Sequence, residues 1–388
     1  MKPEIIEYTA KLLADAVLGN PVKPLPDNIE LGEFINFCVF HKLDNIVYLS
    51  ISDRLPKSAA EFLRKRYMRS INLQTRQQYY VDAVSEKLNE NGIDFLLLKG
   101  SELSKLYPFE DMRISSDTDI YVGKKNAGKV KDIMLELGFE VQDYNDADDD
   151  HDTYMIDKTV FFEMHRILIQ GRYSWRDECN RITDRLEPYE SCRKRMSYED
   201  FYLYNLAHTA KHMKLSGIGM RAFLDMWLIS EKYGDKIDQA ILSERLKKSG
   251  LDKFDENVKK LCNYWFLGQS PDEFTAAMSL YVAESGWIGT YEQHASTVLA
   301  ENAAGNNSKF IAKVRKCLGI VFAPYDEMKH RYPILEKHRY LLPFCGIHRG
   351  IKALLFRRGL IEKVTEDIEN GDPEKGKAIL ALKKEMGL

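Results

Sequence analysis

The sequence predicts an α+β fold. A small mixed-sheet core at residues 93–170 lies between an N-terminal helical region (1–92) and a C-terminal helical region (171–388). Three observations carry this. Residues 1 to about 90 place apolar side chains at helical spacing. Residues 94 to about 168 change to short apolar runs, several with period-two alternation. From Arg172 onward the helical spacing returns and holds to residue 388.

Element by element, Glu4–Val17 reads as a helix, and the same style continues over Ile29–Ser50 after breaks near Pro21, Pro24 and Pro26. Ala59–Asn91 is one long, polar helix that stops at Asn91-Gly92, a C-cap pair. Its basic run Arg64-Lys65-Arg66 reads as a solvated helix face. Phe95–Leu98 and Thr118–Val122 are the first two strands. A helix from about Ala127 to Leu137 ends at Gly138, and Phe139–Asp143 is the third strand. Asn145–Asp152 (NDADDDHD) reads as a loop. Thr153–Ile156 and Thr159–His165 form a hairpin turned at Asp157-Lys158, with Val160, Phe162 and Met164 alternating against Phe161, Glu163 and His165. Beyond these, Tyr198–Lys214, Arg221–Tyr233, Ile237–Lys248, Lys253–Phe266 and Pro271–Ala283 are separable helices. Ala295–Asn307 reads as a helix or a loose connection, residues 308–322 as amphipathic, and Pro373–Leu388 as a charged amphipathic helix.

The 388 residues, 44% of them hydrophobic, are enough for two or three domains with a sizeable core. A net charge of −3 with 30% charged residues gives neither the global basic excess of a nucleic-acid binder nor an acidic solvating tail. Six cysteines, Cys38, Cys179, Cys192, Cys262, Cys317 and Cys345, lack CxxC spacing. They read as reduced core thiols of a cytoplasmic protein, with no disulfide framework and no zinc expected. The first residues lack a secretory apolar segment, and no window approaches the ~18 apolar residues of a membrane span.

The chemistry concentrates in residues 96–122, LLLKGSELSKLYPFEDMRISSDTDIYV. An apolar strand ends in Lys99-Gly100-Ser101, and a short helical segment follows. Asp117 and Asp119 then stand two apart at the start of a second apolar run. Period-two geometry puts both carboxylates on one strand face, where they can share Mg²⁺, a cation that prefers hard oxygen ligands. Gly100 and Ser101 at a helix start suit phosphate oxygens. Lys99 points into a cleft toward a triphosphate or snorkels at the sheet rim. Arg113 reaches phosphates bidentately or pins its loop to Glu110 or Asp111. Glu163, flanked by Phe161, Phe162 and Met164, is the candidate third carboxylate. His165, two residues on, orients it or touches a nucleotide, or is structural. His208, Lys211 and His212 share one helix face, read here as a positive patch. HxxxH spacing permits zinc, but no third ligand is evident. Arg221 and Asp225 read as an i, i+4 ion pair. The cations between Arg172 and Arg195, and Arg349, Lys352, Arg357 and Arg358, read as solvated faces because acids interleave the first group.

These motifs resemble the DNA polymerase β-like nucleotidyltransferase superfamily. They are most similar to its family of uncharacterised nucleotidyltransferases, through Leu98-Lys99-Gly100, Tyr107-Pro108, Arg113, Asp117-Thr118-Asp119 and Glu163-Met164-His165. His208 to His212 with Arg221 and Asp225, and Leu342-Pro343 with Arg349, extend the resemblance from about residue 90 to about 350. The resemblance implies a polymerase β-like core. It implies catalysis by Asp117, Asp119 and Glu163 through bound Mg²⁺, or Mn²⁺ in its place, with NMP passing from an NTP to a hydroxyl. It names no acceptor: a sugar or metabolite, a protein side chain and an RNA end all remain open. Two alternatives remain beside it, a nucleotide-binding regulator without turnover and a toxin-like nucleotidyltransferase acting on tRNA or protein. A kinase is weaker, since neither a Gly-rich loop nor an HRD-like loop is present.

Overall fold

The computed structural model describes residues 2–143, 151–169, 171, 173–287, 289–290, 293, 296–297, 328, 332, 334–346, 348 and 373–388. The N-terminal region folds as α1 (Pro3–Leu18), α2 (Leu31–Phe40), α3 (Asp44–Ile51) and α4 (Lys57–Glu90). The chain breaks between α2 and α3, where Lys42 takes a φ of +53°. The long helix α4 ends as the sequence predicts, with Gly92 at φ +63° just past it. Of its basic run, Arg64 and Lys65 pair with Glu61 on the same helix. Arg66 instead reaches Asp44 at 2.7 Å and ties α4 to α3.

His41, at the C-terminal end of α2, joins this region to the C-terminal helices. Its Nε2–H donates to the Ala283 carbonyl (3.1 Å), and its Nδ1 accepts from the Met220 amide (3.3 Å). Gly219 makes the approach possible, because a Cβ there would lie 2.6 Å from His41 Nδ1. One nitrogen donates and the other accepts, so the ring fits only as neutral imidazole, and burial lowers its pKa to about 4. The unfolded chain takes up this proton near the ordinary value of about 6.5. Stability should therefore fall as pH drops from about 6.5 toward 4, by at most about 3 kcal/mol. Urea midpoints across that range should show the loss, and His41→Gln should flatten the slope.

The five strands β1 (Leu96–Leu97), β2 (Asp117–Tyr121), β3 (Glu140–Asp143), β4 (His151–Ile156) and β5 (Val160–His165) form one mixed sheet in the order β1-β2-β5-β4-β3. Only the β2–β5 pair is parallel. Between β1 and β2 lies α5 (Gly100–Leu103), and between β2 and β3 lies α6 (Ala127–Glu136). Period two divides the sheet as expected. Ile120, Val160, Phe162 and Met164 are buried in one apolar cluster with Val81, Val84 and Leu88 of α4 and Val130, Ile133 and Met134 of α6. Burying Phe162 alone contributes roughly 2 kcal/mol. The opposite face carries Asp117, Asp119, Glu163 and His165, together with Tyr121, Met155 and Phe161. The β4–β5 turn falls at Asp157-Lys158, both with positive φ, as in a type I′ hairpin.

Two expectations need correction. His151 and Asp152 begin β4 and are not loop. Asp152 is buried because its carboxylate holds the Arg166 guanidinium, a long-range pair that local polarity does not reveal. Residues 144–150 lie outside the described residues. After α7 (Arg176–Asn180) the chain is not purely helical, since β6 (Glu187–Glu190) and β7 (Arg193–Arg195) form a hairpin. Its strands are polar and contain Pro188, and they form by docking on the sheet edge. The Phe95 amide donates to Cys192 O (3.1 Å), and the Lys194 amide donates to Phe95 O (2.7 Å).

The C-terminal helices α8 (Tyr198–Leu215), α9 (Met220–Tyr233), α10 (Gln239–Ser249), α11 (Asp252–Leu267) and α12 (Glu273–Ser285) share one apolar cluster with α1, α2 and α3. Further on lie α13 (Ile334–Lys337) and α14 (Pro373–Met386). The latter docks on α11, where Asn257 Nδ2 donates to Met386 O (3.2 Å). Cys38, Cys179, Cys262 and Cys345 are buried free thiols, and Cys192 is half-buried. Among the described residues no helix is long and apolar enough to cross a membrane. The readings for residues 308–322, Arg172, Cys317, Arg349, Lys352, Arg357 and Arg358, and most of 295–307, fall outside the described residues.

Candidate active site

The parallel register of β2 and β5 sets Asp119 directly opposite Glu163, so both carboxylates stand on the polar face of the sheet. His165 stands two residues beyond Glu163 on that face. Its Nε2 lies 2.7 Å from Asp119 Oδ1 and 3.4 Å from Glu163 Oε2. Ligand atoms of Asp119, Glu163 and His165 all lie within 4.8 Å of one another. Asp117, placed in the metal set by sequence, falls outside that trio. Its carboxylate accepts from Ser116 Oγ at 3.3 Å.

Lys99 does not reach free into the cleft. Its backbone takes a φ of +40°, a strained value for a non-glycine residue, and its Nζ donates to Asp119 Oδ1 at 3.0 Å. Asp119 is thus the hub. Burial would raise its pKa, but Lys99 and the His165 hydrogen bond outweigh burial and hold it well below the usual range. Burial would likewise lower His165, but its bonds to Asp119 and Glu163 raise it. Burial would raise Glu163, but the His165 hydrogen bond together with the His151 and His165 charges holds it below its ordinary value. Asp117 moves the other way, raised by burial and by the neighbouring Asp119 charge.

The facing wall comes from α8 and α9. His208 and His212 stack edge to face with their Nε2 atoms 3.1 Å apart. Burial, with Lys99 nearby, pushes His208 well below its ordinary pKa. Burial, with Lys211 beside it, lowers His212 to about 4. Both rings are therefore neutral near pH 7, which corrects the reading of a three-residue positive patch: the charge there is that of Lys211.

Arg113 is also corrected. Its guanidinium is spent bidentately on Asp225 (2.8 and 2.9 Å), and Tyr107 adds a third bond to Asp225 Oδ1 (2.8 Å). It therefore pins the segment before Asp117 to α9, and the partner is neither Glu110 nor Asp111. That leaves Arg221 without Asp225. It donates to Ile114 O (2.9 Å) and, among the described residues, pairs with no carboxylate. No local pattern signals this exchange, because i, i+4 spacing makes Arg221–Asp225 the obvious pair. Trp287, also absent from the sequence reading, lines the cavity with Lys42 Nζ 3.2 Å over its ring centroid. The cations around residues 176–195 are paired, in part with the interleaved acids, as Arg195 with Glu187 at 2.9 Å, and in part with acids outside the run, as Arg185 with Asp200 at 2.8 Å and Lys194 with Asp94 at 3.1 Å.

A cavity of about 420 Å³ gathers these groups. Lys99, Gly100, Arg113, Asp117, Asp119, Glu163, His165, His208, Lys211 and His212 all line it, with Arg221. Ser101 does not, and opens on a neighbouring cleft. Gly100 stands so close to Ser115 that a Cβ would lie 1.9 Å from Ser115 Oγ, which accounts for glycine there. Two carboxylate oxygen donors on adjacent strands, with Asp117 beside them carrying an unfavourably placed charge, fit a hard divalent cation.

A sequence profile for the family described as "Uncharacterised nucleotidyltransferase" matches residues 27–267, more than half of the chain, and spans every residue of this cavity up to Asp225. Nothing among the curated proteins and nothing among the solved structures matches the sequence.

Proposed function

The chain belongs to this family of nucleotidyltransferases, enzymes that move phosphorus-containing groups, and from that premise we propose that it transfers NMP from an NTP to a hydroxyl acceptor with release of pyrophosphate. The observation that carries this reading is the trio Asp119, Glu163 and His165 on the floor of a cavity walled by Lys99, Lys211 and Arg221. The core would be polymerase β-like: a strand and turn at Lys99-Gly100, then the Asp117/Asp119 strand, with residues 1–92 and 171–388 as regions flanking the core 93–170.

Asp119 and Glu163 would hold Mg²⁺ or Mn²⁺, with Asp117 next to it. When bound, the ion would neutralise triphosphate charge and polarise the α-phosphorus. The chain's own residues do the rest. Lys99, Lys211 and Arg221 offset the charge of the β- and γ-phosphates. Gly100 lets the backbone approach them. His165 orients the two carboxylates that it bridges. The acceptor oxygen forms a bond to the α-phosphorus, the bond to the bridging oxygen breaks, pyrophosphate leaves, and the hydroxyl proton passes to a carboxylate, for which Asp117 is the best placed.

The test is transfer of label by the full chain with Mg²⁺ and each NTP labelled at the α- or the γ-phosphate. Label from the α position, with pyrophosphate released, is the expected result. Label from the γ position would make the protein a kinase. Calorimetry showing no Mg²⁺-dependent NTP binding would overturn the reading.

A further inference from the structure

A second cavity, of about 530 Å³, opens between α4, α5 and the β6–β7 hairpin, and Gly100, Arg113, Ser115 and Asp117 line both it and the acidic cavity. We propose that this second cavity is the acceptor site, and that it takes a neutral, hydroxyl-rich small molecule of the sugar or polyol class. The proposal rests on the transfer reading above and names its missing substrate.

Two independent features of the lining point to such a ligand. The first is a set of amides and hydroxyls, Gln74, Gln77, Ser85, Ser101, Thr118 and Ser191, set beside the apolar Val81, Phe95 and Leu97. Gln77 is only 6% exposed, and its Nε2 is buried without a hydrogen-bond partner, as is Gln74 Oε1 one helical turn before it on α4. A buried amide without a partner costs free energy unless a ligand or a water completes it. One unpaired donor and one unpaired acceptor a helical turn apart suit a pair of hydroxyls, each of which both gives and takes a hydrogen bond.

The second feature is charge. Glu86, Glu90, Glu110 and Glu190 line the cavity with Asp117, while its cations are taken. Lys105 pairs with Glu102 at 3.0 Å, Arg193 with Glu102 at 2.5 Å, and Arg113 with Asp225. Glu90 is held by Lys87 (3.2 Å) and Glu190 by Arg193 (3.7 Å), yet carboxylates still outnumber cations in the lining, so a phosphorylated sugar or an RNA end would meet a net negative wall. A neutral polyol meets hydrogen-bond acceptors. Asp117 belongs to both cavities, so a hydroxyl presented past Ser115 arrives beside the carboxylate that takes its proton as the new oxygen–phosphorus bond forms.

The experiment supplies the full chain with Mg²⁺ and α-labelled NTP, and a panel of neutral hexoses, pentoses and hexitols beside their phosphate esters. Label should pass to neutral members at least ~10-fold faster than to their phosphates. Gln77→Leu, which removes the amide at similar volume, should raise the acceptor KM by ~10-fold or more and leave the Kd for Mg²⁺-NTP unchanged. Ser85→Trp, which fills the cavity from α4, should do the same. Label transferred only to phosphorylated, protein or RNA acceptors would overturn this proposal and leave the transfer reading intact. So would an acceptor KM untouched by both variants. Loss of Mg²⁺-NTP binding by the wild-type chain would instead overturn the transfer reading, and this proposal with it.

Discussion

Asp119→Asn should cut NMP transfer by at least ~10³-fold while the chain stays folded. The magnitude follows from what converges on one atom. Asp119 Oδ1 accepts from Lys99 Nζ at 3.0 Å and from His165 Nε2 at 2.7 Å, and the same carboxylate faces Glu163 across the β2–β5 register. Asparagine keeps the shape and removes the charge. Lys99 then loses this counter-ion, the bond that raises the His165 pKa weakens, and the proposed cation site loses one of its two carboxylate donors, the buried one. Glu163→Gln removes the partly exposed donor, and its loss should be smaller. The check is label transfer together with Mn²⁺ titration by calorimetry, with circular dichroism as the folding control. Folded Asp119→Asn protein that keeps transfer within ~10-fold of wild type would place the chemistry elsewhere.

The parts of this site that could be read from sequence are those fixed by local geometry. Two residues apart on a strand means one face, so Asp117 with Asp119, and Glu163 with His165, were legible as pairs. The apolar alternation at Val160, Phe162 and Met164 then told which face went to the core. Register was the missing step. Nothing local says that Asp119 rather than Asp117 lies opposite Glu163, and that single pairing makes His165 part of the acidic trio and leaves Asp117 beside it. Partner choice among charges was equally hidden. Lys99 found Asp119, and Arg113 found Asp225 from 112 residues away. Burial decides such exchanges, because a charge inside the protein takes whichever opposite charge the fold brings to it. The β6–β7 hairpin was missed for a related reason: its strands have no apolar pattern and exist because the edge of β1 offers unpaired backbone groups.

Asp225→Ala should cost the largest share of stability of any single change named here, about 3–5 kcal/mol. Arg113 and Asp225 are 7% and 5% exposed, and the pair is bidentate with Tyr107 as a third donor. Removing the carboxylate leaves a guanidinium that is only 7% exposed without its counter-charge, and the penalty is the desolvation that the pair no longer offsets, well beyond the net worth of the pair in the intact protein. A double change, Arg113→Met with Asp225→Leu, removes both charges at similar volume and should recover most of the loss. Tyr107→Phe alone should cost only about 1 kcal/mol. Urea unfolding of the four proteins measures all of these. The pair also joins the two walls of the cavity, because Arg113 leads into Asp117 on the sheet side and Asp225 stands on α9 one turn after Arg221. The double variant therefore separates two roles. If it regains stability yet binds Mg²⁺-NTP less tightly than wild type, the ion pair sets the width of the cleft. If it regains both, its contribution is to the fold alone.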